Sequence, residues 1–137
     1  MGLKVDYRLV RTFEEWKSSF ETANNTSDVI YIPTIGVSKG WDHEEVIFFI
    51  KKSIRIRVLT CDDFMMPYAV LGVTKVQEEQ GIKAGEMVLK IREGIEVPSI
   101  RMERNSKIKP MLNQELADRI NFKVDELDME EARIFKY

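Results

Sequence analysis

The sequence predicts an α/β fold, a three-layer sandwich built around a mainly parallel sheet. Its first half alternates short β-type segments with amphipathic helical segments, and the links between them are short. This rhythm is typical of βαβ units, whose strands are parallel and whose crossovers are right-handed. One β-type segment, residues 29–32, is apolar throughout, as in a strand that is buried on both faces of a parallel sheet.

Composition indicates one globular domain over residues 1–137, with 44% hydrophobic residues and a net charge of -2. The 21 Lys and Arg residues are spread along the chain, so nucleic acid is not expected as a partner. No apolar run approaches the roughly 18 to 20 residues that span a bilayer. With Cys61 and His43 as the only residues of their types, the sequence predicts no disulfide, metal site or cofactor.

Two helices follow predicted strands and carry capping signals. Residues 3–10 alternate apolar and polar residues, as in a strand with one covered face. Thr12 and Glu15 then form a capping box for a first helix, and Asp42 with Glu45 repeats the pattern for a second. The apolar face of the first helix consists of Phe13, Trp16, Phe20 and Ala23. The second helix is apolar on most sides, so we expect it to be deeply packed.

Residues 62–94 form the stretch around which the chain is organised. A third predicted strand, residues 54–60, leads into an apolar turn at residues 64–68 and then a short β-type run. A helix over Gln77–Arg92 follows, with Gly94 as its C′ residue. Gly81 and Gly85 weaken that helix, so we expect another element to pack closely against them.

The last third of the sequence predicts shorter elements. Residues 100–103 and 107–112 favour two strands around a turn at Asn105 and Ser106. Asn113 is placed to cap a short helix, and residues 122–137 predict a final strand or helix.

Candidate binding residues follow the predicted strands, where ligands of open α/β sheets usually lie. Asp62 and Asp63 are a carboxylate pair at a strand end, although Asp is equally suited to capping a turn. The loop from Gly36 to Trp41 leads into a helix N-terminus that would favour an anion, and Trp41 could stack on a ligand. Alternatively, Trp41 only covers the helix start. The loop matches neither GxGxxG nor a P-loop.

Other reactive residues have weaker support. His43 lies among carboxylates, as solvated surface histidines do, and Cys61 has no base placed to activate it. We expect Phe64, Met65 and Met66 to form either the wall of an adaptable apolar pocket or part of the core.

Three segments carry a family resemblance: KGWDHEE, DDFMMPYAVLGVTKVQEEQG and AGEMVLKIREG, at residues 39–45, 62–81 and 84–94. They resemble ABC transporter solute-binding proteins with a type I periplasmic-binding fold, in the tryptophan/tyrosine-transporter-like branch. Asn113 with Leu116 and Ala117 is similar to a later element of the same family.

The resemblance implies two α/β lobes with a ligand cleft between them, of which this chain matches only the C-terminal lobe. The helix Gln77–Arg92 would then pack on the missing lobe. The resemblance also implies a non-enzymatic protein that holds an amino acid or similar small polar solute and delivers it to an ABC permease. The ligand-binding residues would be Pro33, Thr34, Gly36, Trp41, Asp62, Asp63, Phe64 and Met65.

The resemblance further implies a periplasmic or other extracytoplasmic location, although this chain carries no signal peptide. We therefore expect the sequence to be an excerpt, and the isolated chain to form a homo-oligomer that covers its exposed helix. Two alternatives remain: a ligand-sensing or interaction domain of a bacterial signalling protein, and a hydrolase that uses Asp62, Asp63 and His43.

Overall fold

A computed structural model of the chain describes residues 2–35, 39–104, 106–124 and 133–135. Five strands form one sheet in the order β1-β2-β3-β4-β5. Their bounds are Val29–Tyr31 (β1), Arg57–Thr60 (β2), Leu71–Lys75 (β3), Ile108–Asn113 (β4) and Arg133–Phe135 (β5). The described helices are Phe13–Thr26 (α1), His43–Ser53 (α2), Gln77–Arg92 (α3) and Gln114–Arg119 (α4). A 3₁₀ helix over Asp63–Tyr68 joins β2 to β3, and a second one covers Val97–Ser99.

The prediction of a mainly parallel sheet is confirmed. β1 pairs with β2, β2 with β3, and β4 with β5 in parallel, whereas β3 and β4 are antiparallel. The crossovers through α2 and the 3₁₀ helix Asp63–Tyr68 connect neighbouring parallel strands, as βαβ-type units require.

The helix boundaries follow the capping signals of the sequence. The side chain of Thr12 accepts a hydrogen bond from the Glu15 N–H at 3.2 Å, and that of Asp42 accepts one from the Glu45 N–H at 2.9 Å. Gly94 has a φ of +88°, which is the left-handed conformation expected of the residue that ends α3. These elements are therefore specified locally.

The core lies between the sheet and the helices α1, α2 and α4. Phe13, Trp16 and Phe20 are buried on α1, and the ring centroids of Trp16 and Phe20 are 5.0 Å apart. Val46 and Ile50 of α2 belong to the same core cluster. The expectation that α2 is deeply packed holds only for one face, because Phe48 is exposed.

The predicted strand at residues 3–10 is wrong, because these residues belong to no strand of the described sheet. Leu3, Val5, Tyr7 and Leu9 are 77–94% exposed. Apolar–polar alternation indicates that a segment could place its apolar side chains on one face of a sheet. A strand also needs backbone hydrogen bonds to a neighbouring strand, which the alternation does not provide. Among the described residues, this segment has none.

The expectation that residues 29–32 are buried on both faces is also wrong. β1 lies at the edge of the sheet, and Val29 and Tyr31 are 41% and 54% exposed. Ile32 is buried and follows the strand, where its N–H donates to the Leu59 carbonyl oxygen at 2.8 Å. The apolar run therefore correctly indicated a strand, but its side chains are less buried than the run predicted.

Predictions for the last third of the chain are confirmed in part. Residues 101–104 form no strand, whereas Ile108–Asn113 is the antiparallel partner of β3. The Asn113 side chain caps α4 by accepting from the Leu116 N–H at 3.3 Å, and β5 is the predicted last strand. The turn residue Asn105 lies outside the described residues.

Polar contacts hold α3 to the segment that follows it. The buried carboxylate of Glu79 accepts hydrogen bonds from Ser106 N at 2.8 Å, Ser106 Oγ at 2.6 Å and Lys107 N at 2.9 Å. Lys83 Nζ lies 3.2 Å from Glu79 Oε1 and donates to the Arg104 carbonyl oxygen at 2.7 Å. One carboxylate thus fastens the first turns of α3 to residues 104–107.

The apolar residues of α3 point elsewhere. Ile82, Val88, Leu89 and Ile91 are all exposed. A Cβ added at Gly81 or Gly85 would meet no described atom within 4 Å. The expected close packing against these glycines is therefore absent within the part of the chain that the structure describes.

Glu79 should make stability depend on pH. Its hydrogen bonds with Ser106 and Lys107 lower the pKa of the carboxyl from 4.5 to about 2 in the folded chain. The stabilisation is therefore complete above the unfolded pKa and is lost as pH falls from about 5 to about 2. We expect Glu79→Gln to destabilise the chain at pH 7, and this difference from wild type to shrink towards pH 2 in urea titrations. Glu86→Gln, an exposed change on the same helix, should have little effect at either pH; a pH-independent Glu79→Gln effect would contradict the assignment.

Two glycines should respond in opposite ways to alanine. At Gly85 the added Cβ meets open space, so helix propensity should stabilise the isolated chain by about 0.5–1 kcal/mol. At Gly72 the Cβ would lie 2.4 Å from Met66 Sδ in the packed interior, and overpacking should cost about 1–3 kcal/mol. Thermal unfolding of both variants gives the comparison. A destabilised Gly85→Ala would mean that the α3 face is covered in solution.

Candidate functional site

The candidate site lies beyond the carboxyl ends of β1 and β2. β1 continues into residues 32–35, and β2 continues through Cys61 and Asp62 into the 3₁₀ helix Asp63–Tyr68. Since β1 and β2 are parallel neighbours, the residues that follow them meet at one edge of the sheet. The candidate ligand-binding residues named from the sequence lie in or next to these two segments.

A side-chain hydrogen bond joins the two segments. Thr34 Oγ1 donates to Asp62 Oδ2 across the sheet edge. The Asp62 N–H donates to Thr60 Oγ1 at 3.3 Å, which orients the residue as it leaves β2. Asp62 is thus held through its side chain by Thr34 and through its backbone by Thr60.

Asp63 has a local partner instead. Its Oδ1 accepts from the Phe64 N–H at 2.9 Å, at the start of the 3₁₀ helix. This is the turn-capping role considered as the alternative for an Asp at this position. Asp62 and Asp63 therefore point to different partners, and they do not form a carboxylate dyad.

The 3₁₀ helix separates its residues into an exposed and a buried set. Phe64 is 59% exposed, whereas Met65, Met66 and Tyr68 are buried. Phe64 can therefore offer a ring to a ligand, whereas Met65 belongs to the core cluster. Met66 packs beneath, with its sulfur over Gly72.

Trp41 packs against aromatic side chains of the core. Its ring lies edge-on to Phe13, Trp16 and Tyr68, with centroid distances of 5.7, 5.2 and 5.5 Å. These contacts match the alternative in which Trp41 covers the start of α2. Trp41 is partly exposed, so part of its side chain stays open to a ligand.

His43 and Tyr68 form a pair that sequence reasoning did not anticipate. Tyr68 OH and His43 Nδ1 are 2.5 Å apart, and the two rings lie 5.5 Å apart between centroids. The contact links the first turn of α2 to the end of the 3₁₀ helix. Among the described residues, the hydrogen bonds of His43, Asp62 and Asp63 go to Tyr68, Thr34 and Phe64 rather than to one another.

Tyr31 and Cys61 are also brought together, one at each strand end. The proximity of Cys61 raises the pKa of the Tyr31 hydroxyl to about 12, with further contributions from burial and from the charges of Cys61 and Asp62. Neither tyrosine was predicted to line the site, because each contact joins residues about 25–30 positions apart in the chain, beyond the range of any local pattern.

The predicted site residues are otherwise placed as follows. Pro33 and Thr34 are exposed, and Asp62 and Asp63 are half-buried. Gly36 lies outside the described residues. In the described ranges, no group of three His, Cys, Asp or Glu residues is arranged to hold a metal ion. None of the described helices is both long enough and apolar enough to cross a bilayer.

Solved structures share this fold. An ABC domain from Streptococcus pneumonia in complex with L-Trp matches 91% of this chain with a TM-score of 0.64 and 18% identity. A conserved domain protein from Vibrio cholerae matches 91% with a TM-score of 0.63 and 16% identity. A substrate-binding protein with adhesive properties from Clostridium difficile, in its ligand-free, open form, matches 93% with a TM-score of 0.65 and 18% identity. The fold class, one lobe of a periplasmic-binding-protein-like protein, is thereby confirmed.

The match covers only part of each of these proteins. This chain corresponds to 43%, 42% and 42% of their respective lengths, so it spans less than half of each. No curated protein matches the chain in sequence. The family model described as ABC transporter substrate binding protein, however, matches residues 1–133. The chain therefore belongs to the ABC transporter substrate-binding protein family.

Proposed function

We propose that this chain is the solute-binding lobe of an ABC-type uptake system. It holds an amino acid or a similar small polar solute against the ends of β1 and β2, and a second lobe closes over the solute. The observation that carries the proposal is the set of Thr34, Asp62 and Phe64 beyond the strand ends, which combines a half-buried, fixed carboxylate with an exposed aromatic ring.

The chemistry of this set suits an amino acid. A carboxylate held by a neighbouring hydroxyl offers its free oxygen to an ammonium group, and charge-assisted hydrogen bonds of this kind are strong. An exposed aromatic ring beside it offers a face to an apolar or aromatic side chain. The Streptococcus neighbour was solved with L-Trp, which has both groups. Pro33, Gly36, Trp41, Asp63 and Met65 complete the proposed site.

The site is open on one side, as half of a cleft should be. Phe64, Pro33 and Thr34 face solvent, and a ligand held only by them would stay largely hydrated. Small-molecule sites normally bury most of the ligand surface, so a second surface must cover it. The exposed apolar residues and open glycines of α3 supply a face on which a second lobe can pack.

The setting of this function follows from the family. Its partners would be the solute, the missing lobe and an ABC permease, and its location would be periplasmic or otherwise extracytoplasmic. We propose binding without turnover, which a held carboxylate and an exposed ring support. The alternative, a ligand-sensing domain of a signalling protein, would use the same contacts with a different output.

Binding can be tested with L-Trp as the probe and the isolated chain as the receptor. We expect amide NMR signals of Thr34 and residues 62–64 to shift saturably at millimolar concentrations, as befits half of a site. Asp62→Asn should weaken the apparent affinity about 10-fold, because removing one charge-assisted hydrogen bond costs roughly 1.5 kcal/mol.

Asp28→Asn is the matched control, since it removes the same charge just before β1, at the opposite end of that strand. It should leave the shifts unchanged. If both substitutions weakened binding equally, the effect would come from the loss of a negative charge anywhere on the chain and not from a contact at Asp62. Shifts confined to other parts of the chain would overturn the proposed site. Saturable binding of other amino acids, with L-Trp inactive, would keep the site and change its ligand.

A further inference from the structure

A buried tyrosine of the 3₁₀ helix is paired with the first residue of α2. Tyr68 ends the 3₁₀ helix and belongs to the core cluster. Its hydroxyl oxygen lies 2.5 Å from Nδ1 of His43. The hydroxyl can donate to Nδ1 when the ring proton is on Nε2. A hydroxyl carried into the core needs such a partner, because burial removes the hydrogen bonds that water would have made.

The position of His43 is fixed by the backbone around it. Asp42 caps α2 by accepting from the Glu45 N–H at 2.9 Å, and the Val46 N–H donates to the Asp42 carbonyl oxygen at 3.0 Å. The imidazole also lies edge-on to the Tyr68 ring, at 5.5 Å between centroids and 72° between planes. The first turn of α2 therefore presents His43 to Tyr68 from a rigid support.

Tyr68 lies between two groups of candidate binding residues. Asp63 and Phe64 are at the other end of its own 3₁₀ helix. Trp41 comes shortly before His43 in the chain, and its ring meets the Tyr68 ring edge-on at 5.5 Å and 89°. A tilt of the Tyr68 ring would therefore change the position of Trp41 relative to the 3₁₀ helix.

We propose that His43 is a positioning residue of the solute site: through its hydrogen bond with Tyr68 it fixes Trp41 relative to the 3₁₀ helix. His43 acts through Tyr68 and needs no contact with the solute. The effect on binding rests on the proposed function, whereas the arrangement itself can be tested without a ligand.

The hydrogen bond adds a restraint that aromatic packing alone does not give. Edge-to-face rings attract one another over roughly 4.5–7 Å between centroids, so such a contact tolerates sliding. A hydrogen bond has a short distance and a preferred direction. On its other side, the 3₁₀ helix is held by Asn113 Nδ2, which donates to the Met66 carbonyl oxygen at 3.1 Å. One bond thus fixes this helix to β4 and the other fixes it to α2.

Two substitutions of similar size separate the hydrogen bond from the bulk of the side chain. His43→Asn keeps a polar atom near the place of Nδ1, whereas His43→Leu does not. In NMR spectra of the ligand-free full chain, His43→Leu should shift the Trp41 indole N–H signal and speed exchange of the Ala69 N–H, which bonds to Met66. His43→Asn should stay near wild type. Glu44→Leu, at the next exposed position, should change neither signal.

A double-mutant cycle assigns the effect to the pair. Tyr68→Phe keeps the ring and removes the hydroxyl, so it should reproduce the changes caused by His43→Leu. The double variant should shift the Trp41 signal no further than either single variant. Additive shifts would overturn the inference, and so would an unchanged Trp41 signal in His43→Leu.

Binding of L-Trp then tests the link to the solute site. His43→Leu should weaken the apparent affinity about 5-fold, as expected for the loss of one neutral hydrogen bond, and His43→Asn should restore most of it. Urea titrations check that each variant is folded, so that lost affinity is not lost fold.

The two proposals fail in different ways. If the unmodified chain bound no amino acid while the ligand-free signals responded as expected, the proposed function would fail and the positioning of Trp41 by His43 would be supported. If L-Trp bound the unmodified chain and His43→Leu equally well, the solute site would stand and the positioning role of His43 would be overturned.

Discussion

The candidate site depends on how the 3₁₀ helix Asp63–Tyr68 is fixed to the sheet. The buried Asn113 donates from Nδ2 to the Met66 carbonyl oxygen at 3.1 Å, while its Oδ1 caps α4. One amide thus binds β4, α4 and the 3₁₀ helix together, and a buried amide with both ends satisfied is costly to disturb. The sulfur of Met66 packs on Gly72. A side chain at position 72 would not fit unless the Met66 sulfur moved.

This fixation explains why one turn contains both core and site. Burying Met66 and Tyr68 orients the second half of the 3₁₀ helix inward, so that Phe64 at its start faces solvent. Asp62 precedes the turn and remains within reach of Thr34. The hydrogen bond from Asn113 to Met66 therefore also holds in place the turn from which Phe64 faces solvent.

Local chemistry in the sequence was enough to predict the helices and the two segments that meet at the candidate site. Thr12, Asp42 and Asn113 are caps because their side chains serve N–H groups three residues away, and such short-range contacts are visible in the sequence. Strand pairing and the contacts of Tyr31 with Cys61 and of Tyr68 with His43 join distant residues. Such contacts cannot be read from a local pattern. The alternation at residues 3–10 therefore predicts a strand, although no described strand bonds to this segment.

The two exposed apolar surfaces of the chain suit different kinds of contact. α3 exposes side chains and two glycines with open space beside them, but it offers no unpaired backbone groups. A surface packed on α3 can therefore slide or separate without breaking backbone hydrogen bonds, as closure of a cleft requires. The β1 edge presents backbone groups, whose hydrogen bonds need a fixed direction and register. Under the proposed function, a second lobe that moves with each solute would therefore pack on α3 rather than on the edge of β1.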